Sequence, residues 1–249
     1  MNITKQRWQQ AQELELSDWT TIEGLVDCEW EEAEFKYREY IKRLNNDLHL
    51  NCNSYVLDVG CGKTQVGLMF EGYYFGMEPL ASKLDDMLPL SDIVEAIAEA
   101  IPFKPNTFDL TFCRNVIDHT YNPIQGIQEM YRVTKPNGHM LLACYVYNPF
   151  VAIIRMVSEK LNLSRNIRHP HTYTMDSLEK LAEDNGFEIV ERKIIYTGKH
   201  PHDFGKTQTY SDKLPWDRRV ILYINKLLGY RWFVREYCLL CKKGIEREI

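Results

Sequence analysis

The 249-residue chain lacks several things, and each absence removes a class of protein. Its longest uncharged run, His139 to Ile154, is broken by Asn148-Pro149 and falls short of the roughly 20 apolar residues of a membrane span. The opening Met1-Asn-Ile-Thr-Lys-Gln-Arg-Trp8 has no apolar signal region, so a soluble, cytoplasmic protein is expected. There is no basic excess: the formal net charge is −5, which argues against a nucleic-acid binder relying on a positive face. A small or membrane-presented substrate suits that balance better. No disulfide framework is visible either, because the seven cysteines (28, 52, 61, 113, 144, 238 and 241) are scattered and odd in number, as reduced thiols would be. Cys238-Leu-Leu-Cys241 has no second Cys-x-x-Cys to complete a zinc site, and on a strand positions three apart face opposite sides. No low-complexity linker divides the chain, so a single domain is expected over 1–249.

What is present is organised around Tyr55-Val-Leu-Asp-Val-Gly-Cys-Gly-Lys63, an apolar strand running into a glycine turn. Val56, Leu57 and Val59 suit a buried parallel strand, and Gly60 and Gly62 allow unusual dihedrals and close approach of a ligand to the backbone. Three kinds of nucleotide site use such a turn. A Walker loop needs a glycine five positions before Gly62-Lys63-Thr64, where this chain has Leu57. A G-x-G-x-x-G dinucleotide loop needs one where Gln65 stands, which weakens a nicotinamide-dependent oxidoreductase. What remains is Asp-x-Gly-x-Gly at a strand end, with a second acid, Glu78, closing Tyr73-Tyr-Phe-Gly-Met-Glu-Pro79.

These motifs resemble the class I S-adenosylmethionine (SAM)-dependent methyltransferases over about residues 54–196, with a weaker echo near 234–243. Four landmarks occur in the family's order. They are Leu57-Asp-Val-Gly-Cys-Gly62; Gly76-Met-Glu-Pro79; Ala98-Glu-Ala-Ile-Pro-Phe103 with Phe108-Asp-Leu-Thr-Phe112; and Asn115-Val-Ile-Asp-His119 with Arg132-Val-Thr-Lys-Pro-Asn-Gly138. The resemblance implies a Rossmann-like, doubly wound α/β sheet of seven strands, mostly parallel with an antiparallel last strand.

The rest of the chain fits that plan. Residues 1–50 read as a helical cap, with Trp30, Ala33, Tyr37, Ile41 and Leu44 at helical spacing and a first helix from Thr4 to Leu16. The binding core spans 54–145, with strands expected at Tyr73 to Met77, Ile93 to Ile97, Thr107 to Cys113 and His139 to Tyr145. Asn122-Pro123 reads as a cap and first position of a helix bearing Ile124, Ile127, Met130 and Val133. A lid insertion follows the fifth strand (146–175) and mixes Phe150-Val-Ala-Ile-Ile154 with Arg165, Arg168 and His169-Pro-His171. In 176–249 a helix from Asp176 to Asn185, capped by Gly186, precedes strand Phe187 to Tyr196. A second insertion, Thr197 to Tyr230, carries His200-Pro-His202 and a helix near Asp217 to Leu228, before the last strand from Arg235 to Lys243.

The resemblance also implies site residues. Gly60, Cys61 and Gly62 would contact the amino-acid part of SAM, or of its product S-adenosylhomocysteine. Glu78, beside Pro79, would accept the ribose hydroxyls, a carboxylate being an acceptor-only group. Asp58 would hold the loop and orient the ammonium group. Ile97, Ala98 and Glu99 would cradle adenine, mainly through backbone because many relatives have an acid where Ile97 stands. Arg114 and Asn115 would lie beside the methionine. His119, oriented by Asp118, is the expected general base, with His169, His171 and Tyr145 as candidate acceptor contacts. Some relatives bind a divalent ion with Glu-x-x-Glu-His here; Asn115 replaces the first carboxylate, and no metal is expected, although His119, His169 and His171 would be the residues to complete one. The function expected is methyl transfer to a small acceptor, at an oxygen of a sugar, glycan precursor or other polar metabolite. A catalytically silent SAM-binding regulatory partner is the alternative.

Overall fold

The computed structural model describes residues 3–21, 25–84, 93–160, 169–196 and 234–244. Two helices open the chain, α1 (Lys5–Thr21) and α2 (Leu25–Asp47). On α2, Ala33, Tyr37, Ile41 and Leu44 repeat at three- and four-residue steps, which places them on one face, and all four are buried. Strands β1 (Tyr55–Val59), β2 (Tyr73–Met77), β3 (Phe108–Arg114), β4 (Thr134–Tyr147), β5 (Phe187–Tyr196) and β6 (Val234–Lys243) form one sheet in the order β2-β1-β3-β4-β6-β5. Pairings among β2, β1, β3 and β4 are parallel, while β6 runs antiparallel to both neighbours. This is the α/β Rossmann-like sheet expected from the sequence.

One strand differs from expectation. The segment predicted as a third strand, Ile93 to Ile97, is reduced to a single parallel bridge between Val94 and Met77, so six strands rather than seven are formed among the described residues. Val94 keeps both ladder bonds, donating to the Gly76 carbonyl and accepting from the Glu78 amide at 3.0 Å each. Glu95 then turns its carboxylate onto the Ser82 amide at 2.8 Å, drawing the chain away from the sheet edge.

Helices cover both faces of the sheet. On one side α2 packs over Val56, Leu110, Phe112, Leu141 and Ala143; on the other, α3 (Pro123–Val133) and α5 (Met175–Glu183) pack over Leu57, Val59, Leu142 and Cys144. Strand alternation sorts the residues between these layers. It also separates Cys238, which joins the α2 side, from Cys241 on the α3/α5 side, so the pair cannot share a metal ion. Asn122 caps α3 through its side chain with Pro123 at the first position, and Thr174 with Ser177 forms a reciprocal capping box on α5. Gly186 ends that segment at φ +93°, where a Cβ would stand 3.0 Å from the Tyr131 ring. Within the first insertion lies helix α4 (Pro149–Lys160). The expected helix near 217–228 and His200-Pro-His202 lie outside the described residues. Among the described residues, no helix is long and apolar enough to cross a membrane.

Candidate active site at the carboxyl edge of the sheet

The turn after β1 is held from three directions. Gly60 and Gly62 take φ +66° and +50°, and the Gly60 and Cys61 amides donate to the Met77 carbonyl at 2.8 and 3.0 Å. A Cβ on Gly60 would lie 2.4 Å from Val116 Cγ2, so only glycine fits between this turn and the end of β3. Asp58 accepts from the Gly67 amide at 3.0 Å and the Tyr74 hydroxyl at 3.2 Å, fixing the chain that leaves the loop. Glu78 accepts from Gly62 N at 3.2 Å and from Leu80 N at 3.1 Å, tying the glycine turn to the end of β2. Both carboxyls are buried, and burial pushes each up to about 7 despite these hydrogen bonds. Burial likewise raises the Cys61 thiol, which leaves it a packed loop residue rather than a nucleophile.

Helix α1 lies against this turn. The Trp19 ring reaches within 3.4 Å of the position a Cβ on Gly62 would take, Lys63 Nζ donates to the Trp19 carbonyl, and at the other end Trp8 packs edge-on against Tyr121. Of the two helices expected as a cap, α1 therefore borders the loop, while α2 is a layer of the sheet. Two buried polar groups beside the turn accept or donate no hydrogen bond among the described residues: both carboxamide atoms of Gln65 and Oδ1 of Asn115. Both residues hold left-handed backbone, at φ 40° and 54°. An adenosyl amino acid, with an ammonium, a carboxylate and a ribose diol, has the polar groups such a cradle lacks. Gln65 was not foreseen as a site residue; its only sequence signal was that it stands where a dinucleotide loop has glycine.

The other expected cofactor residues sort themselves by what their side chains already touch. Ala98 is buried on the far lip, beside Ile97 and packed near Gly126, and Pro79 follows Glu78 at the end of β2. Glu99 is committed: Oε1 accepts from the Tyr121 and Asn122 amides at 2.8 and 3.0 Å, so it anchors the start of α3. The Arg114 side chain leaves the cleft for the α2 face, where Nε meets Glu236 at 2.8 Å and the guanidinium lies 5.2 Å from the Tyr37 ring centroid. Only its backbone borders the turn. Tyr145 belongs to the same face of β4 as Leu141 and Ala143, so it stands opposite Cys144 and apart from the histidines.

The acceptor cluster departs from the expected pairing. Asp118 and His119 are brought together with His169, but the hydrogen bond runs from His169 Nδ1 to Asp118 Oδ2 at 2.7 Å, while His119 Nε2 stays 3.9 Å from Oδ1. The two imidazoles meet edge to face at 4.3 Å. Since a carboxylate only accepts, the proton of this bond sits on His169 Nδ1. Burial raises Asp118, but the adjacent His119 charge and the bond from His169 outweigh it and hold the carboxyl well below the usual range. His171 is not part of the cluster: its Nε2–H donates to the Thr120 carbonyl at 2.8 Å, and burial lowers its basicity. Ligand atoms of Asp118, His119 and His169 lie within 4.8 Å of one another, so the set that could hold a cation contains Asp118 in place of His171.

A glycine turn closing β1, an acid closing β2 and a polar cluster after β3, all at the carboxyl edge of a doubly wound sheet, define an enzyme that binds an adenosyl cofactor beside a small acceptor. Residues 57–142 match the profile of the methyltransferase domain family. A ubiquinone biosynthesis O-methyltransferase of Vibrio cholerae is 29% identical over 211 residues, covering 76% of this chain and 83% of its own. Cycloartenol-C-24-methyltransferase 1 of Oryza sativa is 26% identical over 181 residues, 64% of this chain and 52% of its own. Among solved structures, the YcgJ protein of Bacillus subtilis superposes with a TM-score of 0.59 at 17% identity, over 84% of this chain and 100% of that one. The chain is a class I SAM-dependent methyltransferase of the small-molecule kind. The oxidoreductase and silent-partner alternatives give way to that assignment.

Proposed function

We propose that this methyltransferase transfers its methyl group to a hydroxyl oxygen of a small acceptor and that the Asp118–His169 pair takes the hydroxyl proton. The observation that carries the reading is the 2.7 Å bond from His169 Nδ1 to Asp118, which orients the ring of a partly exposed histidine beside a buried carboxylate. An ionised aspartate behind an imidazole favours the protonated ring that forms when the base works. His119, edge-on to His169, steadies that ring and is the second candidate base. The similarity to an enzyme named as an O-methyltransferase supports oxygen as the acceptor atom.

SAM supplies an electrophilic methyl group, so the protein's work is to align, exclude water and remove a proton. Glu78 accepts the ribose hydroxyls with the lone pairs not used by Gly62 and Leu80. Gly60, Cys61 and Gly62 present backbone to the amino-acid end, with Gln65 and Asn115 supplying carboxamide contacts and Asp58 holding the loop. Ile97, Ala98 and the Arg114 backbone form walls, and Glu99 acts by anchoring Tyr121. The exposed apolar side of α4 favours an acceptor that joins its hydroxyl to an apolar part over a bare sugar.

The test begins with labelled SAM and a pool of hydroxylated metabolites to obtain a product. His169→Ala should then lose roughly 10²–10⁴-fold in kcat, the size of a general-base contribution, with S-adenosylhomocysteine affinity unchanged. The rate of the unaltered enzyme should rise with pH to a plateau as the base loses its proton. Near-normal turnover in His169→Ala with abolition in His119→Ala moves the base to His119. Inhibition by a chelator with rescue by one divalent ion moves the cluster's role to metal binding.

A further inference from the structure

Among the described residues, helix α4 carries an apolar stripe that no other element covers. Phe150, Ile153, Ile154 and Val157 follow the i, i+3, i+4, i+7 spacing of one helical face, with Met156 beside them. The stripe points outward: Phe150 is 67% and Ile153 59% exposed, and the other three are about half exposed. The opposite side of the same helix is fixed to the protein. Val151 and Ala152 are buried, and Arg155 stacks on the Tyr147 ring at 4.4 Å while its Nε donates to Thr172 at 3.2 Å. Five large apolar side chains on one exposed helical face exceed the scattered exposed residues of an ordinary surface.

We infer that this face of α4 is a membrane-contact surface that seats the enzyme on an anionic lipid bilayer, in the interfacial plane. Shape and charge favour that occupant over another copy of the chain. Twelve helical residues are only about 18 Å long and roughly 10 Å across, a footprint of a few hundred Å² at most, against about 800 Å² per partner in a stable protein interface. A lipid surface needs no matching shape and binds a stripe of this size as an interfacial helix. In sequence, the stripe is followed by three cations, Lys160, Arg165 and Arg168, against one carboxylate, Glu159, in a chain whose net charge is −5. This local reversal of sign suits acidic headgroups. The position is functional as well: α4 starts two residues after β4 ends, at the edge of the sheet that carries the cofactor turn, so an acceptor dissolved in the bilayer would meet the cleft from that side.

The surface is independent of the base assignment and is tested without turnover. The full chain is sedimented with vesicles of phosphatidylcholine containing about one-third phosphatidylglycerol, and with phosphatidylcholine alone. Binding should be several-fold stronger to the anionic vesicles and should weaken with salt. The double variant Ile153→Ser/Ile154→Ser should lose about tenfold or more in vesicle partitioning, while S-adenosylhomocysteine affinity and the thermal midpoint stay close to those of the unaltered chain. No binding to anionic vesicles, or binding that survives the double substitution, overturns the inference. So does a dimer in solution that the same substitution dissociates, because the stripe would then be a protein interface.

Discussion

Glu78 offers the sharpest test of the cofactor site, because its environment ties ligand binding to a proton. Its carboxyl is almost fully buried between the Gly62 and Leu80 amides, and burial pushes it up to about 7. If it accepts both ribose hydroxyls, the ligand prefers the ionised form, since a protonated carboxyl offers one acceptor fewer. With a value near 7, roughly one-tenth of the molecules are ionised at pH 6 and nine-tenths at pH 8. Affinity for S-adenosylhomocysteine should therefore rise about tenfold over that interval, equal to about 1.4 kcal/mol. Binding near pH 6 should release close to one proton. Titration calorimetry in two buffers of different ionisation enthalpy measures both quantities. Glu78→Gln should bind more weakly by about 1.5–3 kcal/mol, the range for hydrogen bonds to a charged group, and its profile should be flatter by the contribution of this carboxyl. The ligand's own amino group titrates equally in both proteins, so the difference between them isolates Glu78. Equal pH profiles for the two proteins, with no difference in proton release, would refute the assignment.

Three further outcomes follow from the same geometry. Gly60→Ala should abolish measurable cofactor binding and lower stability by about 1–3 kcal/mol in a denaturant titration, because its Cβ would strike Val116 at 2.4 Å on a backbone at φ +66°. Asp58 is also raised by burial to about 7, above its unfolded value near 4, so the stability tied to its bound proton is fully present below about pH 4 and is lost as pH rises through 7; Asp58→Asn should flatten the fall in thermal midpoint between pH 5 and 8. Arg114→Met should cost about 3 kcal/mol by urea unfolding, since it leaves the fully buried Glu236 with only the Tyr37 hydroxyl and Lys36 at 3.8 Å, and adding Glu236→Leu should restore part of that loss.

The sheet and the cofactor turn were legible because their information is local. Val56, Leu57 and Val59 announce a buried strand, and glycines at 60 and 62 announce a turn with positive φ. The boundaries of β2 and β5 fall where the apolar patterns end. Ile93 to Ile97 read as a strand for the same reason, but pattern alone could not register that Glu95 is captured by Ser82 outside the sheet. The role of Arg114 was half legible: its place at the end of β3 is a matter of order, whereas its partner Glu236 lies 122 residues away. The same limit explains the acceptor cluster. Asp118 and His119 are neighbours in sequence, which made them look like a pair, yet adjacent residues leaving a strand seldom aim at one another. The partner Asp118 meets is His169, which is 51 residues on and delivered by the first insertion.

If His169 is the base, that delivery makes the insertion part of the chemistry. The backbone amide of His171 donates to the Asp118 carbonyl at 3.3 Å, and the His171 ring donates to the Thr120 carbonyl, so one short segment is stitched to both sides of His119. Tyr147 N donates to the Tyr173 carbonyl at 2.8 Å, fastening the same segment to the end of β4. His169 is thus held by its own bond to Asp118 and by anchors two and four residues downstream, which restricts where its ring can go. A base at His169 would come from the insertion after β4, whereas the glycine turn follows β1 of the sheet. The proton acceptor and the methyl donor would then belong to two parts of the fold, and an acceptor hydroxyl must bridge them to react. Such an arrangement favours turnover when the acceptor is seated and disfavours loss of the methyl group to water when it is not.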